Sequence, residues 1–306
     1  MRIAGSIDIG SNTVRMLIME ECPGGPLREI DSDRKIIRLG EGINEQKRLL
    51  PHRIDIALEV LAEYAEKFKR YGDIPVRAVA TSAVREASNK DEFLRLVKEK
   101  TGLTIEVISW EQEAALTLEG ALWQLDDLEQ NILTFDIGGG STEYIFSRGK
   151  RVLGFAGTSL GVVRLTEKYI TEHPVKPEEL RNLQEHLISE LAQVKNRLEN
   201  PQPKLLVGTA GTVTTLAALH KNIYPYDPEK IHRTVLSIET IEGLFDDLKN
   251  KSLEERKQIK PLEAGREDLI ISGTAIVLET MRAFSCDRLT VSEYGLREGV
   301  LLKTFA

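Results

Sequence analysis

Two cysteines in 306 residues are too few for a disulfide framework, and neither Cys22, in a Pro/Gly turn, nor Cys286, after a helical stretch, has zinc-ligand spacing. Both read as free thiols. No apolar run approaches the roughly 20 residues a membrane helix needs, and Met1 to Gly5 passes at once into a strand pattern rather than a signal peptide. The expectation is a cytoplasmic protein without membrane contact. Positive charge is short: 41 Lys and Arg against 48 Asp and Glu leave a net charge of -7, which argues against a general nucleic-acid surface. His232 has no partner at H-x-x-x-H spacing and reads as structural. Neither a P-loop nor a G-x-G-x-x-G fingerprint occurs. Any polyanion must therefore be held by local arginines, loops and metal.

What is present is Asp136-Ile137-Gly138-Gly139-Gly140-Ser141-Thr142-Glu143, set between two apolar runs in the order strand, glycine loop, strand. Three glycines remove Cβ atoms, so backbone N–H groups can close on an anion, and Ser141 and Thr142 add hydroxyl donors. The flanking acids Asp136 and Glu143 would repel a bare phosphate, which points to a divalent cation between carboxylate and phosphate oxygens. The bland alternative is a tight hairpin whose Asp and Ser bond their own backbone. A second copy weighs against that: Ile7-Asp8-Ile9-Gly10-Ser11-Asn12-Thr13 repeats the pattern before another apolar run. The chain reads as internally duplicated, two domains being affordable at this length.

Along the chain, Arg34 to Leu39 reads as a third strand and Pro51 to Tyr71 as an amphipathic helix. Arg85 follows the short strand Pro75 to Ala80, at the carboxyl end where open α/β sheets bind ligands. Ser88 with Asp91 suggests a capping box. A helix begins at Ser109-Trp110-Glu111-Gln112-Glu113; acids there have a dull explanation in the helix dipole, the favoured one for Glu111. Gly157-Thr158-Ser159-Leu160-Gly161 matches a G-x-S-x-G nucleophile elbow, read here as a decoy because a serine hydrolase leaves the twin acidic loops unexplained. Gly208 to Thr214 is a third glycine and threonine loop suited to phosphate or ribose.

The ordered set Ser6 to Thr13, Thr81 to Arg85, Glu113-Ala114, Asp136 to Glu143, Gly208 to Thr212, Gly265-Arg266 and Ser292 to Gly299 resembles the exopolyphosphatase and guanosine pentaphosphate phosphatase family, within the actin-like ATPase superfamily. The resemblance implies an α/β fold of two ribonuclease-H-like domains, residues 1–124 and 125–306, with the terminal helix free to pack back on the first and an active-site cleft between them. It implies that Glu113 activates water while Asp8, Asp136 and Glu143 arrange Mg2+ or another divalent cation. Ser11, Asn12, Thr13, Gly138, Gly139, Gly140, Ser141, Thr142, Gly211 and Thr212 would hold phosphates, and Arg85 and Arg266 would offset their charge. The implied substrates are inorganic polyphosphate and guanosine penta- or tetraphosphate, as monomer or homodimer. A kinase or ATPase of the same superfamily, and a non-catalytic nucleotide or alarmone sensor, remain alternatives. One departure stands out: the family's Gly-x-Glu-Glu-Ala-Arg is here Trp110-Glu111-Gln112-Glu113-Ala114-Ala115. The helical carboxyl-terminal domains of larger members are not in this sequence, so long-chain processivity is not expected to carry over.

Overall fold

The computed structural model describes residues 2–22, 27–43, 47–126 and 128–305. Most of the turn expected at Cys22 to Pro26 lies outside them. The chain divides into two compact units, Met1–Gly120 with Leu296–Ala306, and Ala121–Gly295.

The first unit runs β1 (Ile3–Ile9), β2 (Thr13–Glu21), β3 (Leu27–Ile36), α1 (Pro51–Lys69), β4 (Val76–Ala80), α2 (Ser82–Glu86), α3 (Lys90–Thr101), β5 (Ile105–Val107) and α4 (Trp110–Ala121). Its sheet has the order β3-β2-β1-β4-β5, with β1, β4 and β5 parallel and the β1-β2-β3 meander antiparallel. In α1 the apolar residues Ile54, Leu58, Leu61, Ala65 and Phe68 fall on one face and are buried, and Pro51 opens the helix where its missing N–H costs nothing. β3 starts and ends earlier than the expected Arg34 to Leu39. Its run of charges hides the alternation of an edge strand, and the N–H groups of Ile37 and Arg38 leave the ladder to bond Asn12. The capping box expected at Ser88 is not formed. The Ser88 hydroxyl donates to the Lys47 carbonyl, and the residue before α3 is Asn89, whose side chain brackets the Leu49 backbone instead.

The second unit runs β6 (Asn131–Ile137), β7 (Thr142–Arg148), β8 (Arg151–Thr158), α5 (Val162–Tyr169), α6 (Pro177–Arg197), β9 (Leu205–Thr209), α7 (Ala210–Lys221), α8 (Pro228–Ile231), β10 (Val235–Ser237), α9 (Ile238–Lys249), α10 (Leu253–Lys257), α11 (Ile270–Ala283) and β11 (Arg288–Val291). Its sheet has the order β8-β7-β6-β9-β11-β10. Strand for strand this is the first sheet again, meander first and parallel pairs after, with β10 added at one edge. Both units are therefore ribonuclease-H-like, and the repeated Asp-Ile-Gly loops reflect a repeated topology. Each has its own apolar core.

The last helix, α12 (Leu296–Phe305), belongs to the first unit, where Leu296 and Val300 pack with Val79, Ile108 and Leu116. Gly299 makes this fit possible, since a Cβ there would lie 1.7 Å from the Leu116 carbonyl oxygen. That oxygen is backbone and has little room to yield. Gly299→Ala should cost about 3 kcal/mol, the upper end for overpacking. Gly243→Ala, on α9 with nothing within 4 Å of its new Cβ, should instead stabilise by about 1 kcal/mol. Urea denaturation of both variants checks the contrast; equal effects would contradict it.

Candidate functional site

The two glycine loops are hairpin tips closed by the same bond, Gly10 N–H to Thr13 O at 3.0 Å and Gly138 N–H to Ser141 O at 2.9 Å. What distinguishes them from ordinary hairpins is what lies behind. In the second unit, α5 aims its first turn at the loop: Val162 and Val163 donate to the carbonyls of Gly138 and Gly139, and Arg164 Nε to that of Gly140. In the first unit, Ile37 and Arg38 donate to the Asn12 carbonyl and Gly40 to that of Ser11. With carbonyls drawn backwards, the peptide N–H groups face the other way. Among the described residues no acceptor is found for the N–H groups of Ser11, Asn12, Gly139, Gly140 or Ser141. Such groups suit an anion.

Both loops need a glycine behind them. A Cβ on Gly161 would come 2.2 Å from the carbonyl carbon of Gly140, and one on Gly40 would come 2.9 Å from the Ser11 Cβ. The decoy G-x-S-x-G thus has a use: its last glycine lets α5 reach the phosphate loop. One expected ligand is corrected here. The Thr142 hydroxyl donates inward to the Leu160 carbonyl and is fully buried, so its proton is not available to a phosphate.

The acids differ between the copies. Asp136 stands directly opposite Glu143 across the β6-β7 pair, whereas Asp8 stands opposite Arg15 across β1-β2. Directly opposed residues of an antiparallel pair share a face, and two carboxylates so placed repel unless a cation intervenes. Among the described residues no group of three or more His, Cys, Asp or Glu is placed to hold a metal ion. Two carboxylates still fit magnesium, which keeps waters and takes its other oxygens from phosphates. Burial raises Asp8 above the usual carboxylate range; Arg15 and Arg297 oppose this, and Glu298 adds to it. Its Oδ1 is buried without a hydrogen-bond partner among the described residues. Arg15, Arg297 and Glu298 were not among the expected site residues. For Arg15 the signal was present, as it sits seven residues after Asp8, just as Glu143 sits after Asp136.

Glu113, in the first turn of α4, is buried and held by Arg85 of α2, Nη1 to Oε2 at 2.7 Å. Arg85 also donates to the Ile108 carbonyl, and its guanidinium lies 4.2 Å from the centre of the Trp110 ring. Nε and Nη2 of Arg85 are buried without a hydrogen-bond partner among the described residues. Arg85 therefore orients Glu113 first. The helix start is fixed by a capping box that the sequence reading missed: Ser109 N–H donates to Gln112 Oε1 at 2.8 Å, and Gln112 N–H to Ser109 Oγ at 3.2 Å. Glu111 is exposed, and a hydrogen bond from Ser109 keeps it below the usual carboxylate range.

The third expected loop is not a loop. β9 passes directly into α7 through Ala210, held in the left-handed region at φ 70°, and Gly211 and Thr212 form the helix's first turn. The Arg266 guanidinium lies over Gly211, so close that a Cβ would meet it at 2.2 Å, and Arg266 Nε donates to Glu263 at 2.6 Å. Gly273 of α11 makes room for Thr212. At the carboxyl ends of the neighbouring strands, Thr209 Oγ1 donates to the Tyr294 carbonyl and Gly295 packs beside Asp136.

The model of the Ppx/GppA phosphatase family matches residues 17–306. The chain belongs to that family. It is 34% identical to the bifunctional 3-dehydroquinate synthase/phosphatase of Fusobacterium nucleatum, over 98% of this chain but only 46% of that longer protein. It is 30% identical to exopolyphosphatase 2 of Mycobacterium tuberculosis, over 97% of each. Among solved structures, the Ppx/GppA family member of Aquifex aeolicus superposes with a TM-score of 0.85 at 39% identity, covering 99% of this chain and 97% of that one. An exopolyphosphatase of Cytophaga hutchinsonii gives 0.92 at 25% identity, covering 99% and 97%. No helix among the described residues is long and apolar enough to cross a membrane.

Asp8 yields a test of its strained setting. At low pH the group is protonated whether folded or unfolded and costs nothing. As pH rises through the ordinary carboxylate range toward the raised folded value, the unfolded chain releases its proton first and stability falls. Asp8→Asn removes that loss. It should melt above the wild type at pH 7, with the gap shrinking as pH is lowered toward 4; a variant that melts lower at pH 7 would contradict this account.

Proposed function

We propose that this chain is a phosphoanhydride hydrolase that releases orthophosphate from the end of inorganic polyphosphate, and from the 5′ end of guanosine pentaphosphate where that is supplied. The observation that carries the reading is the repeated hairpin with its carbonyls taken from behind, each copy set beside buried acid. The exopolyphosphatase name of a relative aligned over 97% of both chains supports polyphosphate as the substrate.

In this reading the loop amides of Ser11, Asn12 and Gly138 to Ser141, with the first turn of α7 at Gly211 and Thr212, hold phosphate oxygens. Thr13 assists, and Arg85 and Arg266 offset charge that would otherwise repel the attacking water. Asp136 and Glu143, with Asp8, would hold Mg2+, which when bound neutralises charge on the phosphate being released. Glu113, aimed by Arg85, takes the proton of the attacking water.

Glu113→Gln keeps the hydrogen bond to Arg85 and removes the base. Phosphate release should fall by about 10² to 10⁴, with tripolyphosphate binding by calorimetry unchanged. A variant of full activity would end the assignment of the base. Chelation with EDTA should abolish release from polyphosphate and added Mg2+ should restore it; release at the full rate under EDTA would remove the metal from the scheme. A parallel assay on guanosine pentaphosphate and ATP ranks the substrates.

A further inference from the structure

Arg256, on α10, has no part in the proposed reaction, yet it is among the largest side chains of the chain to be buried completely. A guanidinium taken wholly out of water is costly, and burial pushes this one down to about 10, with Asp268 opposing. The groups that receive its hydrogen bonds are neutral. Nε donates to the Leu248 carbonyl at 2.9 Å, and Nη1 donates to the Glu267 carbonyl at 2.9 Å and lies 3.0 Å from His173 Nδ1. Nη2 is buried without a hydrogen-bond partner among the described residues. An apolar side chain would fill the same space without that desolvation cost, so stability alone does not account for the arginine. What it does is tie three stretches of the second unit together: the last turn of α9, the segment ahead of α6 and the turn ahead of α11.

The third tie bears on phosphate. Glu267 follows Arg266, whose guanidinium lies over Gly211 in the first turn of α7. The turn that carries Arg266 is shaped by short-range bonds, Arg266 N–H to the Glu263 carbonyl at 3.1 Å and Gly265 N–H to Glu267 Oε2 at 2.9 Å, with Gly265 in the left-handed region at φ 86°. Arg256 adds a bond from outside the turn, to the carbonyl one residue beyond Arg266.

His173 makes this anchor depend on a proton. A guanidinium has donors only, so Nδ1 must accept, and the ring must be neutral to do so. A protonated ring would set N–H against N–H. His173 is half-buried and within reach of solvent, whereas Arg256 is closed off. Burial and Arg256 hold the ring below the usual histidine value, against Asp268 ahead of α11 and Glu179 in the first turn of α6. Glu179 is itself engaged by Thr171 and by the Lys176 N–H.

We propose that Arg256 is the positioning residue for Arg266, holding it over Gly211, and that His173 is a proton-sensitive latch that loosens this hold in acid. This rests on the hydrolytic reading, in which Arg266 offsets phosphate charge.

Calorimetric titration of the whole chain with tripolyphosphate tests it. At about pH 8, Arg256→Lys, whose single nitrogen cannot span the three acceptors, should weaken binding about tenfold, and Arg266→Gln by at least as much. In the Arg266→Gln background the Arg256 change should add less than about twofold, because nothing is left to position. Additive losses, or wild-type binding by Arg256→Lys, would overturn the proposal and leave the hydrolytic reading standing. Wild-type binding by Arg266→Gln would remove Arg266 from that reading and the proposal with it. His173→Asn offers an acceptor that does not titrate and lies outside the buried core, so it decides the matter even where Arg256→Lys fails to fold. It should bind like the wild type at about pH 8 and several-fold more tightly than the wild type at about pH 5. Protonation of tripolyphosphate is common to both proteins and cancels in that ratio. A ratio that stays constant between the two pH values would overturn the latch.

Discussion

The direction in which a few peptide units point governs the rest of this molecule. In a tight hairpin tip the N–H and C=O of each peptide face opposite ways, so whichever element claims the carbonyls decides where the donors go. Here the claim is made from behind, by α5 in one unit and by Ile37 to Gly40 in the other. Buried backbone donors left without a partner cost stability. The tips therefore hold a deficit that an anion would relieve, and the sheets behind them must be stable enough to bear it. Two glycines, Gly161 and Gly40, make the arrangement possible because no side chain fits between loop and support.

The duplication is one of backbone and not of charge. Position for position, Glu143 in the second hairpin corresponds to Arg15 in the first. The first hairpin thus sets a carboxylate against a guanidinium and is close to neutral by itself, which suits it to hold an anion directly. The second sets carboxylate against carboxylate and needs a cation before an anion can approach. A single duplicated frame in this way carries two loops of opposite electrostatic demand. That asymmetry, more than the glycines, puts the stronger demand for a cation at Asp136 and Glu143.

Most of the architecture was legible because its signals are local. The Asp-Ile-Gly loops announce themselves through residues that do their work where they stand, and α1 through its spacing of Ile54, Leu58, Leu61 and Phe68. What escaped was whatever depends on a distant partner. Gly40 and Gly161 are supports by virtue of the backbone they touch, not of any neighbour in sequence. Thr142 looks like a phosphate ligand, but its hydroxyl is committed as a donor to the Leu160 carbonyl. Ser88 offers a capping pattern, but its hydroxyl donates to Lys47, while the real box at Ser109 and Gln112 sits among acids that have a helix-dipole explanation of their own. The bounds of β3 are not legible in sequence because an edge strand rich in charge carries no alternation to read.

The departure around Glu113 can be understood on the same footing. A capping box works with Gln as well as Glu at its third helical position, since a carbonyl oxygen accepts the Ser109 N–H as a carboxylate would. Replacing the acid by Gln112 therefore keeps the start of α4 where it must be, and with it the placement of Glu113. It also removes one negative charge beside the candidate base. The lost basic residue at Ala115 falls on an exposed face of the helix, away from the buried ion pair. The positive partner that Glu113 requires comes instead from Arg85, which lies 4.2 Å from the centre of the ring of Trp110, the residue that replaces the family's glycine. The substitutions in this segment thus form a consistent set: the cap is kept, a charge is dropped, and an aromatic ring steadies the arginine that aims the base.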